Sequence, residues 1–134
     1  MSLKPSLRQI KKDLSHLNKF EVVVYGSYAT NNFTSRSDID IAVITKKKNP
    51  HQNIEIWKKV LKRTKPIYQL NIFELLPLQI KADIIDKYIV IFGNRIDISE
   101  YFYHYRKLWE DMKHRYYSNQ FTHFREKIEK MKIY

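Results

Sequence analysis

The residues best suited to chemistry lie in one short stretch of the sequence. Val22 to Ser27 is an apolar run that ends in Tyr-Gly-Ser, and Asp38-Ile39-Asp40 follows after ten further residues. The chain has 2 glycines, so the glycine at position 26 predicts a sharp turn or a close approach of the backbone to a ligand. A helical turn that opens at Ser27 would direct free N–H groups and a hydroxyl towards a phosphate.

Asp38 and Asp40 are two residues apart in a segment that alternates like a strand. Side chains with this spacing project from the same face of a strand, so the two carboxylates can share one hard cation. Oxygen ligands of this kind suit Mg²⁺, which also binds substrate phosphates. A metal that bridges carboxylates and a triphosphate is a recurring requirement of phosphoryl and nucleotidyl transfer.

Each half of this pattern also has an ordinary interpretation. Gly26-Ser27 can be a plain joint between a strand and a turn, and Asp38 can cap a turn. Arg36, which precedes the acidic pair, can contact a phosphate or lie in solvent. The two halves together, each at a predicted strand end, favour a nucleotide and metal site.

Alternating helices and strands must position these residues. The apolar periodicities predict helices over 6–18 and 52–64, a helix opened by Pro77, and two C-terminal helices over 99–117 and 121–132. Predicted strands cover 21–25, 38–45, 67–73 and 89–92. On the second strand, Asp38, Asp40 and Ala42 should face one way, with the opposite face in the core. The order of elements predicts an α/β sheet with helical flanks.

The Gly-Ser and Asp-x-Asp pattern resembles the signature of the polymerase-β-type nucleotidyltransferase superfamily. The short chain is similar to its minimal nucleotidyltransferases (MntA-like proteins), and the resemblance extends to Ile72 to Pro77. It implies a nucleotidyltransferase fold of the α/β (α+β) class, with a small mixed sheet of about four strands flanked by helices. The core would cover residues 1–97, and a C-terminal helical extension, 98–134, would pack on it.

The resemblance also implies a function for these residues. The chain would transfer AMP from ATP to an acceptor hydroxyl. Gly26, Ser27, Arg36 and Ser37 would bind the nucleotide, and the catalytic residues Asp38 and Asp40 would hold Mg²⁺. The acceptor would be a HEPN-family toxin, which would make this chain an antitoxin.

The sequence departs from the family pattern on the third predicted strand. Family members usually place a third carboxylate there, and the matching residue in this chain is Gln69. Asn71 lies on the same face and is also an amide, which carries no charge and cannot act as a base. Glu74 has the opposite parity and should pair locally. The chain is therefore either a slow or unusual transferase or a catalytically impaired nucleotide-binding partner.

Composition limits the remaining possibilities. The 134 residues suit one domain, and the lack of Cys excludes disulfides and thiolate metal sites. No run reaches the roughly 18 apolar residues of a membrane span, and the N-terminus does not read as a signal peptide, so we expect a cytoplasmic protein. A net charge of +11 favours a nucleotide, a nucleic acid or an acidic protein as partner, or marks a solvated surface. Exposed aromatic residues in 101–105 would allow a homo-oligomer.

Overall fold

A computed structural model describes the backbone of residues 4–34 and 36–132, and the side chains up to Arg115 together with that of Arg125. The described residues form four strands and four α-helices. In chain order they are α1 (Leu7–Asp13), β1 (Glu21–Tyr25), β2 (Ile39–Ile44), α2 (Pro50–Leu61), β3 (Tyr68–Ile72), α3 (Leu78–Asp86), β4 (Ile89–Phe92) and α4 (Arg95–Lys132). Single 3₁₀ turns cover Ser15–Leu17, Gly26–Tyr28 and Phe73–Leu75.

The four strands form one mixed sheet in the order β3-β2-β1-β4. β1 is antiparallel to both β2 and β4, whereas β2 and β3 are parallel. The small mixed sheet that the sequence implied is confirmed. This topology brings the end of β1 beside the start of β2, where Tyr25 is the partner of Asp40.

Both faces of the sheet are covered by helices. On one face, strand side chains such as Val24 and Ile41 pack with Ile10 of α1 and Val60 of α2. On the other face, Val23, Ala42 and Ile44 pack with residues of α3 and α4. The prediction that β2 has one core face was therefore wrong. Beyond Asp40, the face with the acidic residues carries apolar side chains, and α3 and α4 bury it.

Helix boundaries follow the capping residues. Ser6 caps α1 by accepting a hydrogen bond from the Gln9 backbone N–H at 3.1 Å, the usual role of a serine at a helix N-terminus. α1 ends at Asp13, earlier than the periodicity indicated, and a separate 3₁₀ turn continues the pattern. Asn49 caps α2 through the N–H groups of His51 and Gln52, so that helix starts two residues before the predicted position.

The C-terminal region forms a single helix of 38 residues, although the sequence predicted two. The polar stretch at 118–120 contains no Gly or Pro, and polar residues of this kind weaken a helix without ending it. Asn94 caps α4 by accepting from the Ile96 and Asp97 N–H groups. The expected division at residue 97 falls inside this helix and stays a prediction.

The first turns of α4 belong to the core, and later turns leave it. Ile98 and Phe102 are buried, and Tyr101 and Tyr105 pack against Phe73. Leu108 and Met112, one and two turns further along the helix, are exposed. Within the described part of the chain, no helix has the length and apolar character needed to cross a bilayer.

Candidate nucleotide and metal site

The turn after β1 is a single 3₁₀ turn over Gly26–Tyr28. Its glycine has φ +70, a left-handed conformation that favours residues without a Cβ. The Gly26 carbonyl accepts hydrogen bonds from the N–H groups of Ala29 and Thr30, both at 3.1 Å. The expected helical turn is thus present, but it begins at Gly26 and is only three residues long. Because it is so short, any phosphate here would be held by local N–H groups and the Ser27 hydroxyl, with little help from a helix dipole.

Asp40 lies directly against this turn. A Cβ built on Gly26 would be 3.2 Å from Asp40 Cγ and would overlap its Oδ2 atom. The glycine is therefore required twice, by its φ angle and by the carboxylate packed on its Cα. The two halves of the sequence pattern, the Gly-Ser turn and the acidic pair, come together at one end of the sheet, where β1 ends and β2 begins.

The acidic pair occupies an electrostatically unfavourable position. Burial of Asp40, followed by the nearby charge of Asp38, raises the pKa of the Asp40 carboxyl. None of the described residues donates a hydrogen bond to Asp40, and Asp38 is exposed at the mouth of the site. A divalent cation would offset both effects, since it neutralises the two charges at once. The described residues contain no cluster of three or more potential His, Cys, Asp or Glu ligands. The predicted donor set is the pair Asp38 and Asp40, and Mg²⁺ typically binds through one or two carboxylates.

The third strand supplies amides beside the acidic pair. Gln69 is the direct partner of Asp40 in the parallel ladder, and Asn71 is the partner of Ala42. Gln69 is exposed, whereas the side chain of Asn71 is half-buried. The register therefore places an uncharged group where the family pattern has its third carboxylate.

Tyr25 is a site residue that sequence reasoning missed. It is opposite Asp40 in the antiparallel ladder, and its hydroxyl accepts a long hydrogen bond from Asn71 Nδ2 at 3.5 Å. Burial raises the pKa of the Tyr25 phenol, and the Asp40 charge adds to the effect. The sequence gives no strand register, so the signal appears only once the pairing is known: a residue opposite Asp40 in an antiparallel ladder must share its face.

The loop before β2 carries the other two predicted nucleotide-binding residues. The Ser37 hydroxyl accepts a hydrogen bond from the Thr34 N–H at 3.1 Å, so it shapes the loop. Arg36 is exposed, and its side chain is available to an incoming anion. Both residues lie next to the acidic pair in sequence, and their predicted contacts with a nucleotide remain predictions.

Glu74 is used elsewhere in the fold. Its carboxylate accepts hydrogen bonds from the N–H groups of Thr45 and Lys46, at 3.1 Å and 3.0 Å, and from the Tyr101 hydroxyl at 2.6 Å. These contacts lie beyond the end of β2, away from Asp40. The prediction that Glu74 pairs locally was wrong, because these partners lie 27 to 29 residues away in sequence.

Comparison with known proteins agrees with this geometry. The model of the nucleotidyltransferase domain family matches residues 7–121. The chain belongs to the nucleotidyltransferase domain family. It is 45% identical over 109 residues, 81% of this chain and 84% of the relative, to a Methanocaldococcus jannaschii protein that carries the provisional name protein adenylyltransferase. This family member therefore has both the fold and the Gly-Ser and Asp-x-Asp residues of a minimal nucleotidyltransferase.

Solved structures with the same fold include chains of toxin–antitoxin complexes. One is the complex of a tri-AMPylated Shewanella oneidensis HEPN toxin with an MNT antitoxin, with a TM-score of 0.63, 12% identity, and coverage of 89% of this chain and 99% of that chain. Another is a toxin–antitoxin structure with AMP-PNP, with a TM-score of 0.59, 14% identity, and coverage of 87% and 96%. At these identities the likeness shows the fold, and it covers nearly the whole of each neighbour.

Proposed function

We propose that this nucleotidyltransferase transfers AMP from ATP to an acceptor hydroxyl. The observation that carries the proposal is the packing of Asp40 on the Gly26 turn, with Asp38 close enough to raise the pKa of its carboxyl. The turn offers N–H groups to phosphates, and the acidic pair offers oxygen ligands to Mg²⁺ at the same end of the sheet. When bound, Mg²⁺ would supply charge neutralisation for the triphosphate.

The residues of the chain then have distinct roles. Gly26 and Ser27 hold the β- and γ-phosphates, Arg36 and Ser37 flank the nucleotide, and Asp38 and Asp40 are the metal ligands. The acceptor oxygen forms a bond to the α-phosphorus, the bond between that phosphorus and the leaving oxygen breaks, and pyrophosphate departs. The proton of the acceptor passes to water, since the residue beside Asp40 is the amide of Gln69, which is not a base.

We further propose a HEPN-family toxin as the acceptor, with this chain as its antitoxin. Support comes from the named neighbours, one of which is a complex of an AMPylated HEPN toxin with an MNT antitoxin, and from the name of the 45% identical relative. In this arrangement the modified hydroxyl belongs to the partner protein. The cytoplasm is the compartment where ATP and such a partner would meet.

One observation favours a second candidate function. Because Gln69 stands beside Asp40 in the ladder, the site has two carboxylates where family members usually have three. A site of this kind can bind a nucleotide and Mg²⁺ yet transfer slowly or not at all. The chain would then act as a catalytically impaired nucleotide-binding partner.

Label transfer tests the first candidate. The purified chain is incubated with ATP labelled on the α-phosphate, Mg²⁺ and the protein encoded by the neighbouring gene. Label on that protein, absent with Asp40→Ala, supports transfer. Stable binding of the two proteins without any label would contradict it.

Gln69→Asp separates the two candidates, with Gln52→Asp on exposed α2 as a control for the added charge. If the wild type and the Gln52→Asp control transfer no label and Gln69→Asp does, the chain is the impaired partner. Wild-type transfer that requires Asp38 and Asp40 identifies the enzyme.

A further inference from the structure

Charge is distributed unequally between the two faces of the molecule. The helices on one face, α1 and α2, together with the turn after α2, carry many exposed basic side chains. We call the following residues the basic face: Arg8, Lys11, Lys12, Lys59, Lys62 and Arg63. The acidic side chains of these two helices are Asp13 and Glu55, and each lies near a lysine outside this set, at 2.9 Å for Lys65 and 3.8 Å for Lys58.

The opposite face has a mixed charge. On α3 and the start of α4, Asp83, Asp86, Asp97 and Glu100 alternate with basic residues, and Arg106 lies 3.9 Å from Asp86. A generally lysine-rich surface would be expected to carry similar excess charge on both faces. The concentration on α1 and α2 therefore points to a specific anionic partner for that side.

Specific contacts join the ends of α1 and α2 into one surface. His16 Nε2 is 2.9 Å from the Thr64 hydroxyl, and Asp13 binds both Lys65 at 2.9 Å and the Tyr68 hydroxyl at 2.6 Å. These contacts fix the basic residues of the two helices relative to each other. The same turn leads into β3, where the Ile67 carbonyl accepts a hydrogen bond from the Ile39 N–H at 3.0 Å, one residue after Asp38 in the chain.

The composition of this surface favours a nucleic acid over an acidic protein. A protein interface needs an apolar centre, commonly with aromatic anchors. The exposed large apolar residues of α1 and α2 are aliphatic and each about three-fifths covered: Leu7, Ile54 and Leu61. Lysine and arginine side chains without a stacking platform suit repeated phosphates and give no base discrimination.

We propose that the basic face binds the phosphate backbone of a nucleic acid without sequence preference. This proposal does not depend on nucleotidyl transfer. Binding would place a polyanion along α1 and α2, on the face of the sheet that these two helices cover. The logarithm of the binding constant falls as the logarithm of the salt concentration rises, and each phosphate contact adds about 0.7–0.9 to the steepness of that slope.

Fluorescence anisotropy tests the proposal with a labelled 20-nucleotide RNA and a DNA duplex of the same length, between 50 and 200 mM KCl. We expect the triple variant Lys11→Gln, Lys12→Gln, Arg63→Gln to weaken binding at least 10-fold at 50 mM and to reduce the salt slope by about two. The double variant Lys59→Gln, Lys62→Gln, at the C-terminal end of α2, should act in the same direction. Circular dichroism checks that both variants fold.

A matched variant on the opposite face, Lys87→Gln just after α3 with Lys107→Gln and Lys113→Gln on α4, removes the same charge and should change binding less than 3-fold. Asp40→Ala should abolish label transfer and leave nucleic-acid binding unchanged, so the two proposals fail separately. Equal losses in the two triple variants would overturn the proposal, as would absence of binding at 50 mM KCl. Displacement of the RNA by poly-glutamate at equal charge would overturn it in favour of an acidic protein partner.

Discussion

Two carboxylates near opposite ends of β2 have contrasting surroundings. Asp40, at the start of the strand, receives no hydrogen bond from any described residue and packs on a glycine, and its neighbour Asp38 raises the pKa of its carboxyl further. Glu74 contacts the far end of the same strand and accepts from two backbone N–H groups and from Tyr101. Both are partly buried, so burial alone does not distinguish them.

The difference lies in how each charge is compensated. A buried carboxylate with several donors holds elements together, and in this fold Glu74 joins β2 to α4. A half-buried carboxylate without donors destabilises the fold, and such a group persists where a ligand supplies the missing charge. The contrast predicts that substitutions at Asp40 will affect function, and that substitutions at Glu74 will affect stability.

The largest expected effect is on label transfer. Asp40→Ala and Asp38→Ala should each reduce transfer at least about 100-fold, because each removes charge that holds the metal and triphosphate. Glu74→Gln should leave the rate per folded molecule within about threefold of wild type. An equal loss of transfer at Glu74 would remove the distinction between the two carboxylates.

Gly26→Ala should abolish nucleotide binding, since the new Cβ would overlap the Asp40 carboxylate in a left-handed backbone that itself costs about 1–2 kcal/mol. Gly93→Ala is the matched control. Gly93 also has a positive φ, +109, and a Cβ added there would lie 2.9 Å from Glu21 Cγ and not against Asp40. It should lower stability and leave the affinity for nucleotide unchanged. Titration calorimetry together with thermal melting measures both, and retained nucleotide binding in Gly26→Ala would contradict the predicted site.

Glu74→Gln should lower the free energy of unfolding by about 1–3 kcal/mol. The amide keeps one acceptor oxygen, and it replaces the other with a donor that faces the N–H groups at the end of β2. Urea unfolding measures the change, with Glu100→Gln on exposed α4 as control. A loss no larger than that of the control would show that the Glu74 hydrogen bonds do not stabilise the fold.

The smallest effect should be a gain in stability. The pKa of Asp40 is raised in the folded state, so its charged form destabilises the ligand-free protein above that pKa. The penalty fades as the pH falls from the raised pKa towards the ordinary value for Asp, and it is absent below that value. Asp40→Asn should therefore raise stability at pH 7 by about 1 kcal/mol or less, with solvent screening taken into account, and should give no gain below about pH 4. Thermal melts at both pH values test this, and a destabilised Asn variant at pH 7 would contradict it.

Local patterns in the sequence predicted which residues come together beside the Gly26 turn, but not how the sheet around them is buried. The spacing of Asp38 and Asp40 predicts that their side chains share a face, and the end of the apolar run at Tyr25 identifies Gly26 as the turn residue. Long-range pairing does not follow from local pattern, which is why the burial of β2 on its second face and the role of Tyr25 opposite Asp40 were not anticipated. The single helix α4 was missed because a polar stretch resembled a boundary, although it contains no residue that ends a helix.

The most direct test of the central claim is calorimetric titration of a non-hydrolysable ATP analogue, with and without Mg²⁺, into wild type and the Asp38→Ala/Asp40→Ala variant. The geometry predicts binding that is strengthened at least 10-fold by Mg²⁺ in the wild type, and loss of that dependence in the variant. If both proteins bind the analogue with equal affinity, and that affinity does not depend on Mg²⁺, the acidic pair and the Gly26 turn do not form a nucleotide and metal site.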